Sequence, residues 1–263
     1  MIIDHHVHLG LDTNKSGFSL TAEELMRKMN LYGIDKSIVF ACPNITPKDK
    51  NPYQEENKKI LAASRKYKQL IPFMFVNPFL DTIDYLEKTQ VMFSGFKVYA
   101  TANQMGYSYS KALDKKQMQM LIEIGKPMLF HTGKVEGSRV DDLLCIIKAS
   151  KGLILLAHSG RLFKQGLERV AKYDHVYIDI SPIVTNIELE KILLAPPEER
   201  DLKLSKINPQ KVIDYLERLF NGRVIWGSDT PWCDNLIKEG YKREIEVRKY
   251  LRTPENTFLS EFS

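Results

Sequence analysis

The sequence predicts an α/β protein, a single (β/α)8 TIM barrel spanning residues 1–263, and three observations carry that prediction. Eight short apolar runs of strand length alternate with longer amphipathic segments. The runs are apolar throughout, the pattern of strands buried on both faces of a parallel sheet covered by helices. The length of 263 residues matches the ~250 residues that eight such units need. No GxGxxG or GxxxxGK(S/T) turn follows any of the runs, which removes the phosphate-binding reason for an open doubly wound sheet.

The first strand is MIIDHHVH, residues 1–8. TAEELMRKMNLYG (21–33) follows as an amphipathic helix. Thr21 as N-cap and Glu24 three residues later form a capping box, and Gly33 supplies the stop. KSIVFAC (36–42) is the second strand and EENKKILAASRKYKQ (55–69) the helix behind it. LIPFMFV (70–76) and FSGFKVYA (93–100) are the third and fourth strands, and DKKQMQMLIEIG (114–125) leads into the fifth, KPMLFH (126–131). GLILLAH (152–158), HVYIDIS (175–181) and RVIWGSD (223–229) complete the set. The connection after the seventh strand, residues 182–206, is longer than the others and carries PPEER, a helix start. On a barrel it lies over the strand C-termini, either as a lid or as a plain surface excursion.

Composition narrows the class of function. With 43% hydrophobic and 27% charged residues the chain has material for a large core and no bias towards disorder. The net charge of +5 is spread over short pairs such as Lys58–Lys59 and Lys115–Lys116. No aromatic interleaving accompanies it, so a solvated surface is expected and no nucleic-acid partner. No apolar stretch approaches the ~20 residues of a membrane span and no basic leader opens the chain, so a cytoplasmic protein without a membrane partner is expected. Cys42, Cys145 and Cys233 are odd in number, far apart and outside any CxxC pair, and read as reduced thiols.

The chemistry lies at the strand ends. Side chains alternate along a strand, so His6 and His8 share one face, with Asp4 one layer deeper as a hydrogen-bonding support. His131, His158 and Asp229 end three further strands, and Lys97 lies near the end of a fourth. In a barrel these positions converge at the C-terminal rim. Neutral imidazoles and a carboxylate suit Zn²⁺ and similar divalent ions, and burying so many ionisable groups without a metal or paired charges is costly. His5 points the other way. His175 precedes its strand, at the opposite rim, where a capping or surface role is expected.

With these residues in place the chain resembles the amidohydrolase superfamily, in particular its amidohydrolase-related (amidohydrolase 2) branch of metal-dependent hydrolases and decarboxylases. IIDHHVHLG, GFKVY, MLFHTG, LILLAHSGR and VIWGSDTPW match the family's first, fourth, fifth, sixth and eighth strands in that order, over residues 2 to 232. The resemblance implies that His6, His8, His131 and Asp229 bind the metal, with His158 either a further ligand or a catalytic group beside it. It gives Lys97 three roles to choose from: a carboxylated bridge between two ions, a substrate contact, or packing. Two departures stand out. Lys97 is followed by VYATANQ where the branch often carries a histidine-proline pair, and the end TPENTFLSEFS lacks the usual asparagine-alanine helix, so a trimmed last helix is expected.

The expected activity is metal-dependent hydrolysis of a small ester, lactone or amide, with one or two divalent ions per chain, zinc first among them. A divalent ion lowers the pKa of its bound water towards ~7. Asp229 would take the proton and pass it to the leaving group, and His158 would bind or polarise the reacting oxygen. Arg161 and Lys97 would hold a substrate anion, Arg161 alternatively capping the next helix. The second reading is a metal-dependent non-oxidative decarboxylase of a small aromatic or unsaturated acid. A third, a metal-binding protein without catalysis, sits poorly with an intact ligand set. The partner is a small-molecule substrate, and homo-oligomerisation is left open.

Overall fold

The computed structural model describes residues 1–12, 17–43, 53–100, 107–201 and 207–252. Nine strands form one sheet: β1 (Ile3–Leu11), β2 (Ser19–Leu20), β3 (Lys36–Ala41), β4 (Leu70–Val76), β5 (Gly95–Val98), β6 (Met128–Phe130), β7 (Ile154–Leu156), β8 (Val176–Asp179) and β9 (Val224–Ile225). From β1 through β3 to β9 every neighbour is parallel. The sheet closes on itself beyond β9, where Val7 bridges Thr230, His8 N–H donates to the Thr230 carbonyl and Asp229 N–H to the His6 carbonyl. The eight expected strands are all present and the barrel is confirmed.

The strand centres are buried on both faces, as continuous apolar runs require: Met74 to Val76, Met128 to Phe130 and Ile154 to Leu156 are wholly inaccessible. Helices cover the outside. In helix Ala22–Tyr32 the capping box is formed, Thr21 Oγ1 accepting from Glu24 N–H and Glu24 Oε2 from Thr21 N–H, and Gly33 ends the helix in the left-handed region at φ 67°. Helix Pro209–Leu219 starts under Asn208, whose side chain caps the Lys211 N–H, with proline at the first turn.

Two features depart from a plain eightfold repeat. β2 pairs antiparallel with the end of β1, through Gly10 and Leu11, and was not expected; two residues are too short a run to show periodicity. The last strand keeps regular pairing for only two residues. Past it Gly227 lies so close to β1 that an added Cβ would stand 2.6 Å from His6 Cβ, and Asp229 takes a left-handed φ of 57°.

The connection after β8 forms helices Ile183–Glu188 and Glu190–Leu193 and a turn of 3₁₀ helix at Pro197–Glu199, the PPEER start. Pro182, Asn186 and Leu193 from this segment wall the rim cavity, which favours the lid over the surface excursion. Residues 202–206 of that connection, 101–104 of VYATANQ and the tail 253–263, with its trimmed helix, lie outside the described residues.

Candidate metal centre

The alternation of β1 places Asp4, His6 and His8 on one face, and the closure with the last strand brings Asp229 to them. His6 Nε2 and His8 Nε2 stand 3.3 Å apart, and Asp229 Oδ1 is 3.4 Å from each. Ligand atoms held ~2.0–2.1 Å from a tetrahedral zinc-type ion stand about 3.3–3.4 Å from one another. The three atoms therefore already outline one face of such a coordination shell, and the donor set suits a divalent ion.

Both imidazoles are oriented from behind. His8 Nδ1 donates to the Ala41 carbonyl at 3.1 Å, and His6 Nδ1 donates to Asp179 Oδ2 at 2.8 Å, so each turns an unprotonated Nε2 inward, available as a ligand atom. Burial, together with the charge of Lys97, holds both rings below the usual histidine range, hence neutral and able to bind a metal. Asp179 is itself fixed: its Oδ1 accepts from His158 N–H at 2.8 Å, Ser181 N–H at 2.9 Å and Ser181 Oγ at 2.6 Å. His6, His158 and Asp179 form a second grouping of possible ligand atoms, joined by the hydrogen bonds of His6 Nδ1 and His158 N–H to Asp179. Sequence reasoning missed Asp179. The signal was there: it is the ionisable group inside the apolar run HVYIDIS.

Asp4 stands below the triangle as expected, its Oδ1 accepting from Ser228 N–H at 2.9 Å and His6 N–H at 3.2 Å, which ties β1 to the last strand. Burial raises its carboxyl to about 7. His5 faces the other side, with Nδ1 2.9 Å from the Trp226 carbonyl. His175 bonds the Ile147 carbonyl through Nε2 at 3.1 Å, at the end of a helix and far from the rim.

His131 and His158 stand beside the triangle. His158 Nδ1 donates to the Ser181 carbonyl at 2.9 Å, so its Nε2 accepts from His131 Nδ1 at 3.0 Å. His158 Nδ1 also lies 3.7 Å from Asp229 Oδ2, and the His131 ring stacks on Tyr99 with centroids 4.0 Å apart. Burial and the nearby Arg161 charge hold both rings well below the usual histidine range. Lys97 is fully buried under the triangle, Nζ 3.4 Å from His6 Nε2 and 4.8 Å from the centroid of the Phe40 ring. Burial brings its ammonium down to about 7.

Arg161 follows β7 in a run of left-handed backbone, with φ between 53° and 61° at His158, Ser159, Gly160, Arg161 and Leu162. Left-handed geometry costs ~1–2 kcal/mol for each non-glycine residue, and such strain is retained where it sets a site. Here it turns the guanidinium into the rim cavity instead of onto the next helix, so Arg161 does not cap. The cavity, of about 240 Å³, opens directly over His8, Asp229, His131 and His158.

The comparisons with known proteins agree at the level of fold. No family model matches the chain, and no curated protein matches it in sequence. Among solved structures it is similar to an amidohydrolase from Burkholderia multivorans with bound zinc, at 14% identity and TM-score 0.69, over 98% of this chain and 95% of that one. It is similar also to a protein assigned as a 2-pyrone-4,6-dicarboxylic acid hydrolase from Pseudomonas putida, at 17% identity and TM-score 0.66, over 99% and 97%. An uncharacterised TIM-barrel protein from Bordetella bronchiseptica aligns over 99% and 97% at 11% identity and TM-score 0.62. The chain thus has the TIM-barrel fold that these structures share, as the strand pattern led one to expect.

Proposed function

We propose that the protein is a metal-dependent hydrolase of the amidohydrolase superfamily that cleaves an ester, lactone or amide bond in a small molecule. The observation that carries this reading is the triangle of His6 Nε2, His8 Nε2 and Asp229 Oδ1, with edges of 3.3 and 3.4 Å, at the floor of an open cavity. His6, His8 and Asp229 would hold the ion, with His131 and His158 beside the triangle and Lys97 beneath it. A zinc-type ion there would supply Lewis acidity and lower the pKa of a bound water towards ~7. Asp229, with Oδ1 in the triangle and Oδ2 turned to His158, takes up the proton of the attacking water and returns it to the leaving group. His158, with Nδ1 on the Ser181 carbonyl and Nε2 accepting from His131 Nδ1, fixes the ring of His131 at the cavity. These groups lie at strand ends, and Pro182, Asn186 and Leu193 of the segment after β8 wall the cavity above them. Three free thiols suit a reducing cytoplasm, and among the described residues no helix is long and apolar enough to cross a membrane.

Elemental analysis of the purified protein tests the reading. One or two divalent ions per chain are expected, and none in the His6→Ala/His8→Ala double variant, which removes two of the three triangle atoms. Full occupancy in that variant would overturn the site. Release of CO₂ from unsaturated acids, without hydrolysis of any ester, lactone or amide, would replace the hydrolase by the decarboxylase.

A further inference from the structure

Resting on that hydrolase reading, we propose that Arg161 anchors a carboxylate of the substrate, so that the preferred substrates are small carboxylic acids carrying the hydrolysable bond. Arg161 is only 8% exposed and lines the rim cavity together with Asp229. Its Nε donates to the Thr132 carbonyl at 2.9 Å and its Nη1 to Asn186 Oδ1 at 2.8 Å, both neutral acceptors. Among the described residues no carboxylate oxygen lies within 4.0 Å of it; Asp229, the acid nearest in role, pairs with His6, His8 and His158 instead.

Asp229 and Asp179 act on this cation only from beyond 4.0 Å; a buried cation whose hydrogen bonds go to neutral acceptors is costly, and an anion arriving in direct contact offsets that cost. The two existing bonds use Nε and one Nη1 hydrogen, and among the described residues no other bond takes up the Nη1–Nη2 end, the fork that matches a carboxylate. Thr132 and Asn186 fix the direction of the fork, and the left-handed run from His158 to Leu162 fixes its origin. Trp232, Leu193, Leu236 and Pro43 wall the same cavity and suit a carbon skeleton between carboxylate and reacting bond.

Benzoate and benzamide, the same ring with and without the charge, serve as probes in calorimetric titrations of the protein as purified, with its metal content measured. The parent is expected to bind benzoate at least tenfold more tightly than benzamide. Arg161→Gln removes the cation and should weaken benzoate about 10- to 100-fold, with benzamide and metal content unchanged. Asn186→Asp keeps the volume and the acceptor of the Nη1 bond but gives Arg161 an internal counter-ion, and should lower benzoate affinity in the same way without disturbing the fold. Equal binding of the two probes by the parent overturns the anchor. So does a benzoate preference that survives in both variants, which would put the anion on the metal. The hydrolase reading fails separately: if no ester, lactone or amide is cleaved while the benzoate pattern holds, the anchor stands and hydrolysis does not. If neutral substrates are cleaved faster than their acid counterparts, hydrolysis stands and the anchor does not.

Discussion

Replacing Asp179 by Asn tests whether the metal centre depends on the residue that orients His6. The substitution conserves volume, so the barrel interior keeps its packing, but the hydrogen bonds cannot all survive. Asp179 Oδ1 receives three donors, from His158 N–H, Ser181 N–H and Ser181 Oγ, while Oδ2 receives His6 Nδ1. An asparagine that keeps its oxygen towards the three donors must turn its NH₂ to His6 Nδ1. That forces the proton of His6 onto Nε2, the nitrogen that completes the triangle, and a protonated Nε2 cannot bind a metal. An asparagine turned the other way presents NH₂ to three donors and disrupts the turn at Ser181. Loss of such a supporting partner weakens metal binding ~10–100-fold, about 1.4–2.8 kcal/mol. Competition with a chromophoric chelator measures the affinity of parent and variant directly. An unchanged affinity in a variant with the parent's melting temperature would refute the argument that Asp179 sets the ring of His6.

Asp229→Asn is expected to keep the fold and much of the metal while lowering kcat ~10²–10⁴-fold, since Asn supplies an oxygen donor but accepts no proton; turnover at the parental rate would pass the shuttle role to His158. Lys97→Ala separates the one-ion from the two-ion design. A two-ion parent should fall to one ion per chain, a one-ion parent in which Lys97 contacts substrate should keep its ion with a raised KM, and a variant unchanged in both respects makes Lys97 a packing residue. Glu244 accepts from Val184 N–H, Thr185 N–H and Thr185 Oγ1 at the base of the segment after β8, and burial raises its carboxyl from 4.5 to about 8. The native state thus holds a proton that the unfolded chain has released, and its contribution to stability, complete below about 4.5, is lost as pH rises towards about 8. Denaturant midpoints at pH 5 and pH 8 should therefore differ less in Glu244→Gln than in the parent; equal differences would show that this carboxyl is not held protonated.

The sequence alone determines the parts of this protein that obey short-range rules. Continuous apolar runs such as ILL in β7 and amphipathic stretches such as TAEELMRKMNLYG announce strand and helix, because burial on two faces or on one leaves its mark in residue order. The HxH pair declares a shared face, because strand side chains alternate. Strand ends in a closed barrel then must meet, so His6, His8, His131, His158 and Asp229 were legible as one constellation before any geometry was known. What only the tertiary structure decides is how these groups divide the work. That His6, His8 and Asp229 form the triangle while His131 and His158 form a hydrogen-bonded pair beside it depends on differences of about an ångström between side chains from different strands. Asp179, 173 residues from His6 along the chain, gains its role only through the closure that brings β8 next to β1's histidine. The same holds for Arg161, which local propensity would have set on a right-handed helix start; five consecutive left-handed residues turn it into the cavity, a conformation with a local cost that only the packing around the barrel rim can sustain.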